Sequence, residues 1–143
     1  MAAAAAKPAN FHSRRCPRQV MERAILFVRQ TGLNAQLHWF THSRKLIRQC
    51  NEAGIYVSVG PMVVDDPQTQ EVALAIADDF LLIETDAPVP IGGQPNQPSR
   101  ARAVAEKLAA LKQRSLAEVA ALTTANFRRY LALPPPAPSP YIL

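Results

Sequence analysis

Cysteine is scarce: Cys16 and Cys50 are the only two in 143 residues. Two thiols cannot build a disulfide framework, and they lack the CxxC spacing or neighbouring histidine pattern of a structural zinc site. Both are expected to be buried thiols in a reducing cytoplasm. Long apolar runs are missing as well. Stretches such as residues 72–77 fall far below the roughly 18 residues a membrane-spanning helix needs, so a soluble chain with no membrane partner is expected. Arg14 and Arg15 after Ser13 imitate a twin-arginine export signal, but Arg18, Glu22, Arg23 and Arg29 break the apolar run behind them. Acidic residues are nearly absent from the first third: residues 1–50 hold nine Lys/Arg against Glu22 alone, whereas the remainder holds seven against ten acids. Such a basic front suits a polyanion such as nucleic acid. The alternative is two solvated helix faces, as Arg44, Lys45 and Arg48 suggest.

What is present is enough apolar material for a core. With 48% hydrophobic and 19% charged residues, one domain is expected, and disorder, collagen and coiled coil are excluded. Strand-like segments at 9–12, 35–40, 55–59 and 80–84 alternate with helical ones. Between the first two, Val20, Ala24, Phe27 and Val28 form a stripe at helical spacing, with Pro17 at the start and Gly32 just past the end. Thr41 or Ser43 opens the next helix, which carries Leu46, Ile47 and Cys50 and stops at Gly54. Asp66-Pro67 opens a third, Pro98 a fourth with Val104, Leu108 and Leu111, and Ser115 with Glu118 reads as a capping box for a fifth. The strand ends recur at intervals of 26, 20 and 28 residues (His12, His38, Ser58, Asp86), which argues for successive right-handed βαβ units. The fold class is α/β with a parallel sheet. Residues 1–133 are expected to form the domain, and 134–143, with five prolines between 134 and 140, an extended tail.

Three polar residues close three of these strands: His12, His38 and Asp86. In parallel α/β folds the C-terminal ends of strands are where reactive groups converge. One histidine at a strand end reads as a hydrogen-bonded structural residue; two with an aspartate point to a divalent metal. Glu84 shares a strand face with Asp86, so it either steadies a ligand histidine through its free N–H or forms a buried ion pair with an arginine. His42 lies four residues after His38, but a strand end and a helix start separate the two.

The set HSR at 12–14, HWF at 38–40, LLIETDAP at 81–88, NQP at 96–98 and TTANFRR at 123–129 resembles the TatD family of metal-dependent deoxyribonucleases and related hydrolases, in order and in spacing. The resemblance implies a (β/α)₈ barrel holding one or two divalent ions (Mg, Mn or Zn). In that family an HxH on the first strand, a glutamate on the fourth, histidines on strands five and six and an aspartate on strand eight make the site. His12, His38 and Asp86 match the last three. No HxH occurs, and a whole barrel takes about 250 residues, so the resemblance is to the C-terminal half, strands five to eight. The expected activity is phosphodiester hydrolysis, of DNA above all. Asp86 would bind metal and orient or deprotonate water, Glu84 would stand behind a ligand histidine, and Arg14 would neutralise phosphate or bridge on the rim. The alternatives are hydrolysis of other esters, such as aminoacyl esters on tRNA, and a non-catalytic fragment. A half barrel exposes two sheet edges, so an N-terminal half or a second copy is the expected partner.

Overall fold

The structure is a computed structural model and describes residues 2–134. The proline-rich tail, apart from Pro134, lies outside the described residues. Four parallel strands, β1 (Ala9–His12), β2 (Ala35–His38), β3 (Tyr56–Val59) and β4 (Leu81–Ile83), stand side by side in chain order. Five helices follow or join them: α1 (Pro17–Thr31), α2 (Arg44–Glu52), α3 (Pro67–Ala75), α4 (Ala101–Lys112) and α5 (Leu116–Tyr130). Four strands in this order are half of what a closed (β/α)₈ barrel requires. A short 3₁₀ turn at Pro98–Arg100 stands where the sequence suggested the start of a helix, and another at Pro61–Val64 precedes α3.

Local chemistry sets the helix boundaries. Pro17 opens α1, and Gly32 closes it in the left-handed region (φ 68°), donating its N–H to Val28 O at 2.8 Å. The best-buried residues of α1 are Met21 and Ala24, so the apolar stripe is centred nearer Met21 than the spacing indicated. Asp66 caps α3 by accepting from Thr69 N at 2.7 Å, and the Ser115–Glu118 capping box is complete. The α2 helix stops at Glu52, one turn residue before Gly54. Cys50 is buried, and desolvation pushes its thiol up to about 12; Cys16, expected to be buried, is exposed at the start of α1.

Strand alternation sorts the sheet into two chemically different faces. Ala35, Leu37, Val57, Val59 and Leu81 face the helices and meet Met21, Ile47, Val72, Leu108 and Val119 in one core. Gln36, His38, Tyr56, Ser58 and Leu82 lie on the other face, where Tyr56, Leu82, Tyr130 and Phe80 form a second, smaller cluster. Two asparagines fix α5 to the sheet. The fully buried Asn126 donates to Asp78 O (2.6 Å) and Leu81 O (2.7 Å), and Asn34 donates to Arg129 O and Tyr130 O, carbonyls of the last turn of the helix. Asn126→Ala leaves two backbone carbonyls without that donor, and a loss of about 2–3 kcal/mol in urea unfolding is expected.

Asp78, just before β4, takes Lys112 Nζ at 2.9 Å and also pairs with Arg114. The Lys112 hydrogen bond chiefly holds its carboxyl below the usual carboxylate range; partial burial opposes this, and the Lys112 and Arg114 charges assist. A depressed native pKa contributes stability above the unfolded value of about 3.9, and this is lost as pH falls through the lower native one. Because the carboxylate is about a third exposed, Asp78→Asn should cost only about 0.5–1 kcal/mol at pH 7. Denaturation at pH 7 and again below about pH 3 should show the difference from wild type disappearing at the acid end.

Candidate metal centre

Parallel pairing places His12 and His38 directly opposite each other at the C-terminal ends of β1 and β2, with ring centroids 5.5 Å apart. His38 is the better enclosed, its side chain 15% exposed. Its Nδ1 bonds Glu84 Oε2, and its Nε2 lies 3.4 Å from Asp86 Oδ1. An ionised carboxylate only accepts, so in the neutral ring Nδ1 carries the proton and Nε2 keeps a lone pair aimed toward Asp86.

Glu84 is itself held from below. Its Oε1 accepts from Ser58 Oγ at 2.8 Å, and its backbone N–H donates to Val59 O. Ser58, only 1% exposed, accepts from Gln36 Nε2 (3.0 Å) and from Trp39 N (3.1 Å). Its one proton and two lone pairs are all used. A chain thus runs from Gln36 on β2 through Ser58 on β3 and Glu84, just past β4, back to His38 on β2. Among the described residues no arginine pairs with Glu84, so of the two readings the structure has the contact with the histidine.

Two residues here have left-handed backbone. Trp39 (φ 45°) and Asp86 (φ 56°) each sit at a strand end where the chain turns over the site. For aspartate this is tolerated; for tryptophan it is uncommon. Gly60 makes room for the Trp39 ring, because a Cβ at residue 60 would stand 3.2 Å from Trp39 Cε2. The loop after Asp86 is pinned by Asn96, which is buried, donates to Thr85 O and accepts from Gln97 N at 2.9 Å.

The donor set suits a divalent cation in part. With ligand bonds of about 2.0–2.1 Å, two donors at adjacent corners of a tetrahedron lie about 3.3–3.4 Å apart. The Nε2 to Oδ1 separation of 3.4 Å equals that edge. Yet among the described residues no group of three or more His, Cys, Asp or Glu side chains is arranged to hold an ion. Of His12, His38 and Asp86, expected to converge as three ligands, the structure brings His38 and Asp86 together and leaves His12 exposed beside the His38 ring. Ser13, next in the chain, is 8% exposed, and its Oγ has no hydrogen-bond partner among the described residues. Arg14 is exposed and has no carboxylate within salt-bridge distance among them, so the rim ion pair considered for it is not formed. His42 turns away to meet Phe40 edge-on at 4.9 Å.

The family pattern described as TatD related DNase matches residues 1–132. The chain belongs to that family. Over 121 residues it is 35% identical to the uncharacterized metal-dependent hydrolase YabD of Bacillus subtilis, a match covering 78% of this chain and 48% of YabD. It is 32% identical over 110 residues to the 3'-5' ssDNA/RNA exonuclease TatD of Erwinia tasmaniensis, covering 69% of this chain and 42% of that one. The solved structure of YJJV, a TatD homologue from Escherichia coli K12, superposes with a TM-score of 0.82 at 25% identity, over 93% of this chain and 53% of its own. The chain spans about half the length of the curated relatives it matches.

In this TatD-family chain, Ser58, Gln36 and Asn96 were not singled out as site residues from sequence. Ser58 and Gln36 did leave a signal, a polar residue at an inward position of an otherwise apolar strand. Among the described residues no helix is long and apolar enough to cross a membrane. Ser58→Ala should free one oxygen of Glu84 and let the His38 ring reorient. The expected result is a changed His38 imidazole environment in NMR spectra, with the fold retained.

Proposed function

We propose that this chain carries one side of a metal-dependent phosphodiesterase site acting on nucleic acid, with DNA the first substrate to test. The observation that carries the reading is the Glu84–His38–Asp86 line, in which a carboxylate fixes an imidazole whose free nitrogen shares a ligand-sized gap with a second carboxylate. Relatives named metal-dependent hydrolase and ssDNA/RNA exonuclease support the same class.

His38 Nε2 and Asp86 would hold the ion, with His12 the next donor. When bound, a divalent cation supplies a Lewis acid for a phosphoryl oxygen and makes water a competent nucleophile near neutral pH. The remaining work is the protein's. Asp86 orients the attacking water and takes its proton, Glu84 keeps His38 in the tautomer that can donate its lone pair, and Arg14, free of any competing carboxylate, neutralises the phosphate. The basic first third, with Arg14 and Arg15 following β1, suits a polyanionic substrate.

A catalytic site needs three protein ligands and an open position, and this chain brings two together. Titration of the chain with Zn²⁺ or Mn²⁺ in a calorimeter should give at most one weak site; a tight two-ion isotherm would contradict the arrangement described. Glu84→Ala should weaken that site about 10- to 100-fold.

Activity is tested with a labelled single-stranded oligonucleotide and Mg²⁺, Mn²⁺ or Zn²⁺. Asp86→Ala should lower the rate by about 10²- to 10⁴-fold, and Arg14→Met should chiefly raise KM. Equal rates for wild type and Asp86→Ala would remove Asp86 from the mechanism. Turnover of an aminoacyl ester on tRNA in place of the oligonucleotide would move the site to the other ester class.

A further inference from the structure

A cavity of about 490 Å³ opens between the 3₁₀ turn Pro61–Val64, the loop after Asp86 and the start of α4. Its size is in the range that takes small organic ligands. Met62, Val64 and Ile91 give it apolar walls, and Asp65, Asp66 and Arg100 give it charge.

The charges do not neutralise one another. Arg100 is half-buried, and among the described residues it makes no ion pair with Asp65, Asp66 or any other carboxylate. Asp66 uses Oδ2 to cap α3 through Thr69 and pairs with no cation among the described residues. Arg100 and the two aspartates therefore line one largely apolar cavity from different elements without pairing. Such a cavity suits a flat molecule with acceptors on one edge and donors on the other.

The walls are also fixed in place. Pro61 is buried, and Ile91 is held in a small hairpin by reciprocal bonds with Gln94 (3.0 and 3.1 Å) across Gly92 and Gly93, both with positive φ. Ile91 is five residues after Asp86, so the two lie within about 18 Å even along a fully extended chain.

We propose that this cavity binds a guanine base. Guanine presents O6 and N7 to an arginine in a two-bond contact, and its N1–H and N2–H₂ edge donates to a carboxylate. Its ring lies against Met62, Val64 and Ile91. Adenine offers Arg100 one acceptor flanked by a donor, and a pyrimidine leaves apolar wall uncovered. The proposal rests on the phosphodiesterase reading for the source of the base, a nucleotide close to the scissile phosphate, and adds that the chain prefers guanine there.

The test is binding without metal, so that it does not depend on hydrolysis. The full chain in EDTA is titrated with dGMP, dAMP, dCMP and inorganic phosphate, with amide shifts followed by NMR. Saturable dGMP binding at least tenfold tighter than dAMP or dCMP is expected, with shifts centred on Met62, Ile91 and Arg100. Arg100→Met should abolish the preference, Asp65→Asn should reduce it several-fold, and Arg14→Met should leave it intact. Equal binding of the three nucleotides, no dGMP binding, or a preference unaltered in Arg100→Met would overturn the proposal. Oligonucleotide hydrolysis sensitive to Asp86→Ala, together with any of those results, would sink the guanine site alone. A guanine preference that depends on Arg100, in a chain that hydrolyses no phosphodiester even with metal, would instead sink the phosphodiesterase reading.

Discussion

The hydroxyl of Ser58 sets the polarity of the whole site. It has one proton to give and two lone pairs to fill, and both lone pairs are filled by N–H donors, from Gln36 and from the Trp39 backbone. The proton must then go to Glu84. Glu84, accepting from that side, accepts from His38 Nδ1 on the other, and a neutral imidazole so held has its lone pair toward Asp86. The order of donors leaves little freedom, because a buried polar network is stable only when each member is satisfied. The orientation of the His38 ring is thus decided through a hydroxyl on the neighbouring strand β3.

The same logic explains why the sheet has two unlike faces. Toward the helices it is Ala, Leu and Val, which need only shape; away from them it is Gln, Ser, His and Glu, which need specific partners. One face supplies stability, and the other spends part of it on orientation. The left-handed turns at Trp39 and Asp86 belong to that second category, since unfavourable backbone persists only where the surroundings over-determine it.

Much of this was legible in the residues. The period of strand ends, the Gly32 stop, the Asp66 cap and the Ser115–Glu118 box all act within a few residues of themselves, so local sequence is enough to find them. The strand-end position of His12 and His38 was legible for the same reason, whereas β4 stops at Ile83, so Glu84 and Asp86, expected to share a strand face, lie past the strand, with Asp86 in the left-handed region. The mutual distances of His12, His38 and Asp86 were not legible, because register and side-chain rotamer decide whether three donors close up, and here two do. Ser58 acts across 26 residues on Glu84, and its role appears only once β3 and β4 are paired. Cys16 shows the opposite failure, where a general habit of free thiols met a loop that happens to face solvent.

Asn34 joins β2's approach to the end of α5, across separations of 95 and 96 residues. Contacts so remote along the chain close a large loop before they return any enthalpy, and topology of this kind slows folding. The Tyr56–Leu82–Tyr130 cluster depends on that closure. The floor beneath the polar face is therefore assembled from segments that a growing chain cannot bring together until α5 is made, whereas the histidine-bearing strands β1 and β2 lie early in the chain and pair with each other.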